Sequence, residues 1–231
     1  MRASGGAIKR DRVAPGEVHA WLIDLGRPPE GGATALATAE LARADSYLSP
    51  EDGARFATSR AWLRVILGRY LDAEPSLLEF ERSPAGRPRL AGQFAYLIHF
   101  SLSHSARRGL VAVAASPVGA DIEAVRARTG LADLVRSRFG AAEARCIAGG
   151  CGGSPLRGFY RHWTAKEAYL KATGCGLAGL RATEVTCGAH PAIHSGGREA
   201  SWALSLLDQV PGWAAAVVGG GPVTRCWAAD Q

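Results

Sequence analysis

The chain has 231 residues, 47% hydrophobic and 21% charged, a balance that suits one large or two small globular domains with a well-filled core. No apolar run approaches the roughly 20 residues that a bilayer span needs, and the N-terminus lacks the apolar segment of a secretory signal, so a cytoplasmic protein without a membrane partner is expected. Net charge is +6, and of the 27 basic residues only Lys9, Lys166 and Lys171 are lysine. The charge is therefore arginine, which favours bidentate contact with phosphate or carboxylate and implies an anionic partner.

In chain order, residues 1–16 are polar and expected to fray. Val18 to Leu25 alternates as a first strand, ended by the Pro28 to Gly32 cluster. Residues 36–48 are helical in pattern. Ser49 then caps a second helix that begins at Pro50, carries Glu51 and Asp52 in its first turn and runs to about Leu71. Arginines 55, 60, 64 and 69 form a basic flank on it, either a solvated face or a ligand-facing one. Leu77 to Glu81 reads as a short strand, and SPAGRPRL as a turn carrying Arg87 and Arg89. Tyr96 to His104 and Gly109 to Ala115 read as a hairpin whose first strand ends in Ser103-His104-Ser105. Adjacent Ser and His point to opposite faces of a strand, and there is no Gly-x-Ser-x-Gly elbow, which excludes a serine hydrolase.

Ser116-Pro117 marks a domain junction, giving expected halves 1–116 and 117–231. Beyond it VGADIE is a strand that sets Asp121 and Glu123 on one face and Ile122 on the other. Residues 131–148 give one or two short helices and Cys151 to Pro155 a Gly-rich loop. Arg157 to Leu177 is one long helix with Gly174 as its left-handed cap. Trp163, Glu167 and Lys171 stack along one ridge of it at i,i+4 spacing. Residues 184–187, 201–207, 213–218 and 223–228 are strand-like, so strand, helices and strands occur in both halves: an α+β fold of two pseudo-equivalent halves. The five cysteines, Cys146, Cys151, Cys175, Cys187 and Cys226, contain no Cys-x-x-Cys pair, so neither a disulfide framework nor a zinc knuckle is expected.

An isolated Glu167–Lys171 pair on a helix is ordinarily a salt bridge worth a few tenths of a kcal/mol. Asp121 and Glu123 change that reading, because side-by-side carboxylates repel unless a cation joins them, and with Glu167 they make a three-carboxylate set suited to Mg²⁺. Taken together, WTAKEAYLKATGCGL, VGADIE, FSLSHS and GRP, in their order and at their separations, resemble the 4′-phosphopantetheinyl transferases of the larger, surfactin-synthetase-activating (Sfp) type, over roughly residues 18–210. That resemblance implies a pseudo-dimer of two α+β halves in one monomeric chain. It implies transfer of the phosphopantetheine arm of coenzyme A to a serine of an apo acyl or peptidyl carrier protein, with Mg²⁺ and release of 3′,5′-ADP. By the same resemblance Asp121, Glu123 and Glu167 hold the metal, Glu167 is the candidate proton acceptor and Lys171 serves the leaving phosphate. Ser103 and His104 meet the 3′-phosphate end of coenzyme A, and Arg43, Arg55 and Arg60 match basic positions that approach the nucleotide. The family usually has Gly-Lys-Pro where this chain has Gly86-Arg87-Pro88, and often Asn where Leu102 stands. Leu131, Leu134 and Phe139 are candidates for a carrier-docking groove. The competing readings are a Mg²⁺-dependent nuclease, against which stand the four-residue Glu-Lys spacing and the absence of a basic stripe with interleaved aromatics, so no nucleic-acid partner is expected, and a non-catalytic module that holds a nucleotide or a carrier protein.

Overall fold

The computed structural model describes residues 11–83, 86–176 and 179–229. Residues 1–10 of the stretch expected to fray, Pro84 and Ala85 of the arginine-bearing turn, and Leu177 lie outside these. The fold is α+β. Its elements run β1 (Val18–Asp24), α1 (Gly32–Ala35), α2 (Thr38–Asp45), α3 (Pro50–Leu71), β2 (Phe80–Arg82), β3 (Pro88–Leu90), β4 (His99–Ser105), β5 (Arg108–Ala114) and β6 (Gly119–Ala124). After these come α4 (Leu131–Arg138), α5 (Ala141–Ala148), α6 (Pro155–Thr173), β7 (Thr183–Thr186), β8 (Ala192–Ser195), β9 (Arg198–Glu199), β10 (Ala203–Leu206), β11 (Trp213–Gly219) and β12 (Val223–Ala228). Among the described residues no helix is long and apolar enough to cross a membrane.

Two larger sheets organise the molecule, one in the order β12-β1-β5-β4 and one in the order β10-β11-β6. Their inner faces share one apolar cluster, with Ala20, Leu110 and Ala112 from the first sheet and Ala120, Ile122 and Val217 from the second. On its other face the first sheet buries Ile23, Val111 and Val113 against Leu63, Ile66 and Leu67 of α3. Ala216 and Val218 of the second sheet meet Ala165, Ala168 and Ala172 of α6 in the same way. The C-terminal strand β12 pairs in parallel with β1, so the segment 117–231 contributes a strand to the sheet built by 1–116.

Local chemistry accounts for the helices. The Ser49 hydroxyl accepts the Asp52 N–H ahead of Pro50, and the Ser154 hydroxyl accepts the Arg157 N–H ahead of Pro155. Gly174 ends α6 with φ 82°. The basic flank of α3 is not a solvated face: Arg60 and Arg64 are buried and both bind Glu40 of α2, each through Nε at 2.6 Å. Pro88–Leu90 is a strand paired with β2 rather than part of a turn, and β8 and β9, four and two residues in a short hairpin, carry no period long enough to signal them. No disulfide framework is expected, and the structure adds one local bridge: Cys146 at the end of α5 and Cys151 in the following loop form a disulfide, with Cα atoms 5.5 Å apart. The bridge spans only five positions, a local contact that spacing rules for frameworks do not detect.

Two contacts set how α6 lies on its sheet. Gly119 opens β6 where the helix backbone comes closest; a Cβ there would stand 1.9 Å from the Ala168 carbonyl oxygen and 2.5 Å from the Ala172 nitrogen. Lys166, fully buried, faces away from the sheet edge and donates from Nζ to Glu143 at 2.8 Å and to the carbonyl oxygens of Leu180 at 3.1 Å and Arg138 at 3.3 Å. Removing one partner of such a pair costs about 3–5 kcal/mol, so the pair resists rotation of the helix about its axis. Gly119→Ala forces α6 off β6 by an overpacking contact against backbone that cannot swing aside, and is expected to lower stability by about 1–3 kcal/mol or more; thermal denaturation followed by circular dichroism checks this.

Candidate active site

Asp121 and Glu123 sit on the face of β6 opposite Ile122, as the two-residue period of a strand requires, and face α6. From α6, Trp163, Glu167 and Lys171 come to the same place. Together with Ser103, Arg138 and Leu180 they line a cavity of about 450 Å³. The three acidic residues, drawn from two separated segments, therefore share one space.

The position of β6 depends on β4. Its serines 101, 103 and 105 lie on one face, and each hydroxyl reaches β6 where a backbone ladder is missing. Ser101 Oγ accepts the Ala120 N–H at 3.0 Å, and Ser105 Oγ accepts the Ala124 N–H at 3.1 Å. Ser103 Oγ donates to Asp121 Oδ1 at 2.7 Å, and Ser105 Oγ donates to Glu123 Oε2 at 2.8 Å. These hydroxyls orient the carboxylates. Serine at i, i+2 and i+4 of a strand was the visible signal for this, and of the three only Ser103 had been singled out as a site residue.

Lys171 does not pair along the helix with Glu167. Its Nζ crosses to β6, donating to Asp121 Oδ1 at 2.6 Å, Ser103 Oγ at 3.1 Å and the Ala120 carbonyl at 3.2 Å. Asp121 Oδ2 is buried and without a hydrogen-bond partner. Burial holds Glu123 above the ordinary carboxylate range in spite of the Ser105 hydrogen bond, and the Asp121 charge adds to the effect. Glu167 is raised too, by burial first and by Asp121 second. An orphaned buried carboxylate oxygen beside two carboxylates that resist ionisation fits a hard divalent cation, which supplies the missing partner and removes the repulsion.

A second cavity, of about 350 Å³, lies between β3, β4, the start of β6 and the end of α6. Arg87, Arg89, Tyr96, Phe100 and Pro117 are among the side chains that line it, and Lys171 lines both this cavity and the acidic one. Burial disfavours the charge of Arg87, and no carboxylate among the described residues pairs with it. That arrangement suits an anion by elementary electrostatics.

The remaining sequence candidates are placed as follows. His104 is exposed, lines neither cavity, and has its imidazole held below the ordinary histidine range by surrounding packing and then by the Lys171 charge. Arg60 is bound to Glu40 and lies 4.7 Å over the Phe80 ring, one layer behind the arginine-lined cavity. Arg55 pairs with Glu51 and Asp52 of its own helix, and Arg43 lies over Tyr47 on α2. None of the three lines either cavity. Phe139, offered as part of a docking groove, is instead core: it is 5% exposed and packs edge-on against Phe159 and His162, because α4 turns its apolar side toward α6. Leu131 and Leu134 are partly buried against the same cluster.

Comparison with known proteins gives the same direction. The profile of the 4′-phosphopantetheinyl transferase superfamily matches residues 117–218, which include both segments of the acidic cavity. The chain is 37% identical over 200 residues to the 4′-phosphopantetheinyl transferase HetI of Nostoc sp., covering 84% of this chain and 83% of that protein. It is 35% identical over 161 residues to a Synechocystis sp. protein provisionally named for the same activity, covering 69% of this chain and 65% of the relative. A 4′-phosphopantetheinyl transferase of Bacillus subtilis is 26% identical over 132 residues, 57% of each chain.

Two outcomes follow from the geometry. Ser105→Ala strips Glu123 of its donor and the Ala124 N–H of its acceptor, and is expected to cost about 1–3 kcal/mol in urea denaturation. A carboxyl whose folded pKa is raised destabilises the native state above that pKa, and the cost disappears as pH falls through it toward the unfolded value. In metal-free buffer Glu167→Gln is therefore expected to melt above the parent chain at neutral pH, with the gap closing on acidification; a scan of melting temperature against pH reads it.

Proposed function

The chain belongs to the 4′-phosphopantetheinyl transferase superfamily, and we propose that it moves the 4′-phosphopantetheine arm of coenzyme A onto a serine of an apo acyl or peptidyl carrier protein and releases 3′,5′-ADP. The observation that carries the reading is the place of Lys171, on the wall between the arginine-lined cavity and the three-carboxylate cavity. A nucleotide diphosphate laid across that wall has its phosphates beside Arg87 and Lys171 and its reacting phosphorus beside the acids. Both sheets and both long helices come from one chain, and no second copy is needed to complete the site, which supports the larger Sfp type acting as a monomer.

Asp121, Glu123 and Glu167 would hold Mg²⁺. The ion, when bound, neutralises charge on the pyrophosphate oxygens and polarises the phosphorus. The chain's own residues do the rest. The carrier serine oxygen forms a bond to the β-phosphorus while the bond from that phosphorus to the bridging oxygen breaks, and 3′,5′-ADP departs with the electron pair. Glu167 lines the cavity with no hydrogen-bond donor among the described side chains, which leaves a carboxylate oxygen to accept the serine proton directly or through a water. Lys171 donates to the departing phosphate, and Arg87 holds a phosphate group by its planar fork. Ser103 keeps Asp121 oriented, and His104, exposed near the end of β4, takes the 3′-phosphate end. The arginine-rich surface suits an acidic carrier protein and predicts a salt-sensitive approach.

Incubation with coenzyme A, Mg²⁺ and an apo carrier protein is expected to add the mass of one phosphopantetheine arm to the carrier by mass spectrometry. A carrier left unmodified would overturn the proposal. Asp121→Asn and Glu167→Gln are each expected to lower turnover by about 10²–10³-fold. Lys171→Ala is expected to lower kcat by a similar factor while the KM for coenzyme A changes by less than about tenfold; equal losses in both would remove its leaving-group role.

A further inference from the structure

In the N-terminal half of α6, three soft donors converge that the transfer reaction does not use. Cys146 Sγ, Cys151 Sγ and a ring nitrogen of His162 all lie within 4.8 Å of one another. The cysteines are half-buried, and His162 is 1% exposed. In the structure the two sulfurs are bonded to each other, yet a disulfide has no use for the buried imidazole beside it. His162 Nδ1 stands 2.8 Å from the Gly158 carbonyl oxygen. A carbonyl only accepts, so Nδ1 carries the proton and Nε2 keeps the lone pair. A backbone carbonyl fixing one ring nitrogen so that the other is presented as a base is the arrangement metal-binding histidines use. The loop reaches this place because residue 158 is glycine: a Cβ there would stand 2.6 Å from the Cys151 carbonyl oxygen and 3.3 Å from its sulfur.

We infer that in the reduced chain Cys146, Cys151 and His162 form a binding site for a soft divalent cation, zinc foremost, with its remaining position open to water. Donors on a tetrahedral zinc are about 3.5–3.8 Å apart, so the observed cluster needs only a rotamer change that parts the sulfurs. Two thiolates balance the charge of the ion, and binding releases the two thiol protons to solvent: M²⁺ + 2 RSH → M(SR)₂ + 2 H⁺. Thiolate and imidazole select zinc over the magnesium that suits the carboxylates, so the two sites do not compete for one ion. The bound ion ties the end of α5 and the 149–153 loop to the second turn of α6, adjacent to Trp163, and so buttresses the helix that carries Glu167 and Lys171.

The full chain, purified with a thiol reductant and no chelator, is expected to hold zinc stoichiometrically by atomic absorption. Cobalt(II) substitution is expected to give the intense near-ultraviolet band of thiolate ligation, which oxygen ligands at Asp121, Glu123 and Glu167 do not produce. Cys146→Ser, Cys151→Ser and His162→Ala are each expected to lose zinc to a competing chelating dye at concentrations at least tenfold lower than the parent, whereas Cys187→Ser behaves as the parent. Should the variants fold poorly, alkylation of the unaltered chain gives the same answer: zinc slows modification of Cys146 and Cys151 and leaves the rate at exposed Cys175 unchanged. A reduced chain that retains no zinc, a cobalt complex without the thiolate band, zinc retained by the Cys146→Ser/Cys151→Ser double variant, or alkylation rates insensitive to zinc would each overturn the proposal.

Discussion

The hydroxyls of Ser101, Ser103 and Ser105 stand where two sheets meet without a backbone ladder, and the rest of the site depends on them. Each fills the space between β4 and β6, Ser101 and Ser105 satisfy backbone amides of β6, and Ser103 and Ser105 bind the carboxylates directly. An unpaired buried amide or carboxylate costs about 1–3 kcal/mol, so the alternation of serines holds the two sheets in one register as well as orienting Asp121 and Glu123. The same hydrogen bonds thus join the two sheets and aim the acids. Gly119 completes the arrangement by letting α6 approach until Lys171 reaches Asp121.

The electrostatics are deliberately unfinished in two neighbouring places. In one cavity three carboxylates crowd together with a single ammonium bound to one of them, and an Asp121 oxygen has no partner. In the next, Arg87 is desolvated with no acid among the described residues to meet it. By contrast, Glu40 binds Arg60 and Arg64, and Glu143 binds Lys166. The contrast separates charges that hold the fold together from charges kept for a cation on one side of Lys171 and an anionic ligand on the other. Unbalanced buried charge is costly, and it persists where a ligand supplies the balance.

α6 connects the sites described here because it meets a different environment along each ridge. Trp163, Glu167 and Lys171 face the acidic cavity, and Ala165, Ala168 and Ala172 lie on the sheet. Lys166 is locked into α5 and the Leu180 loop, and His162 faces the Cys146–Cys151 loop. A helix held on every side has little freedom to roll, which keeps the reacting groups oriented before any ligand arrives.

How much of this was legible depended on range along the chain. The caps Ser49 and Gly174, the alternation that puts Asp121 and Glu123 on one face, and the ridge of Trp163, Glu167 and Lys171 are consequences of local periodicity, and the motifs built on them pointed to the family. The partner of each charge was not local. Lys171 turned from Glu167 four residues away to Asp121 fifty residues away, Arg60 and Arg64 left the surface for Glu40, and Ser103, expected to meet a ligand, also binds Asp121 of β6. The return of β12 to the first sheet and the meeting of Cys146, Cys151 and His162 were settled in the same way. Sequence alone determined which groups each element offers and on which side, because backbone geometry repeats at 2 and 3.6 residues; which groups face one another was decided only when the sheets and helices packed, because burial and hydrogen bonding choose among partners that spacing leaves equivalent.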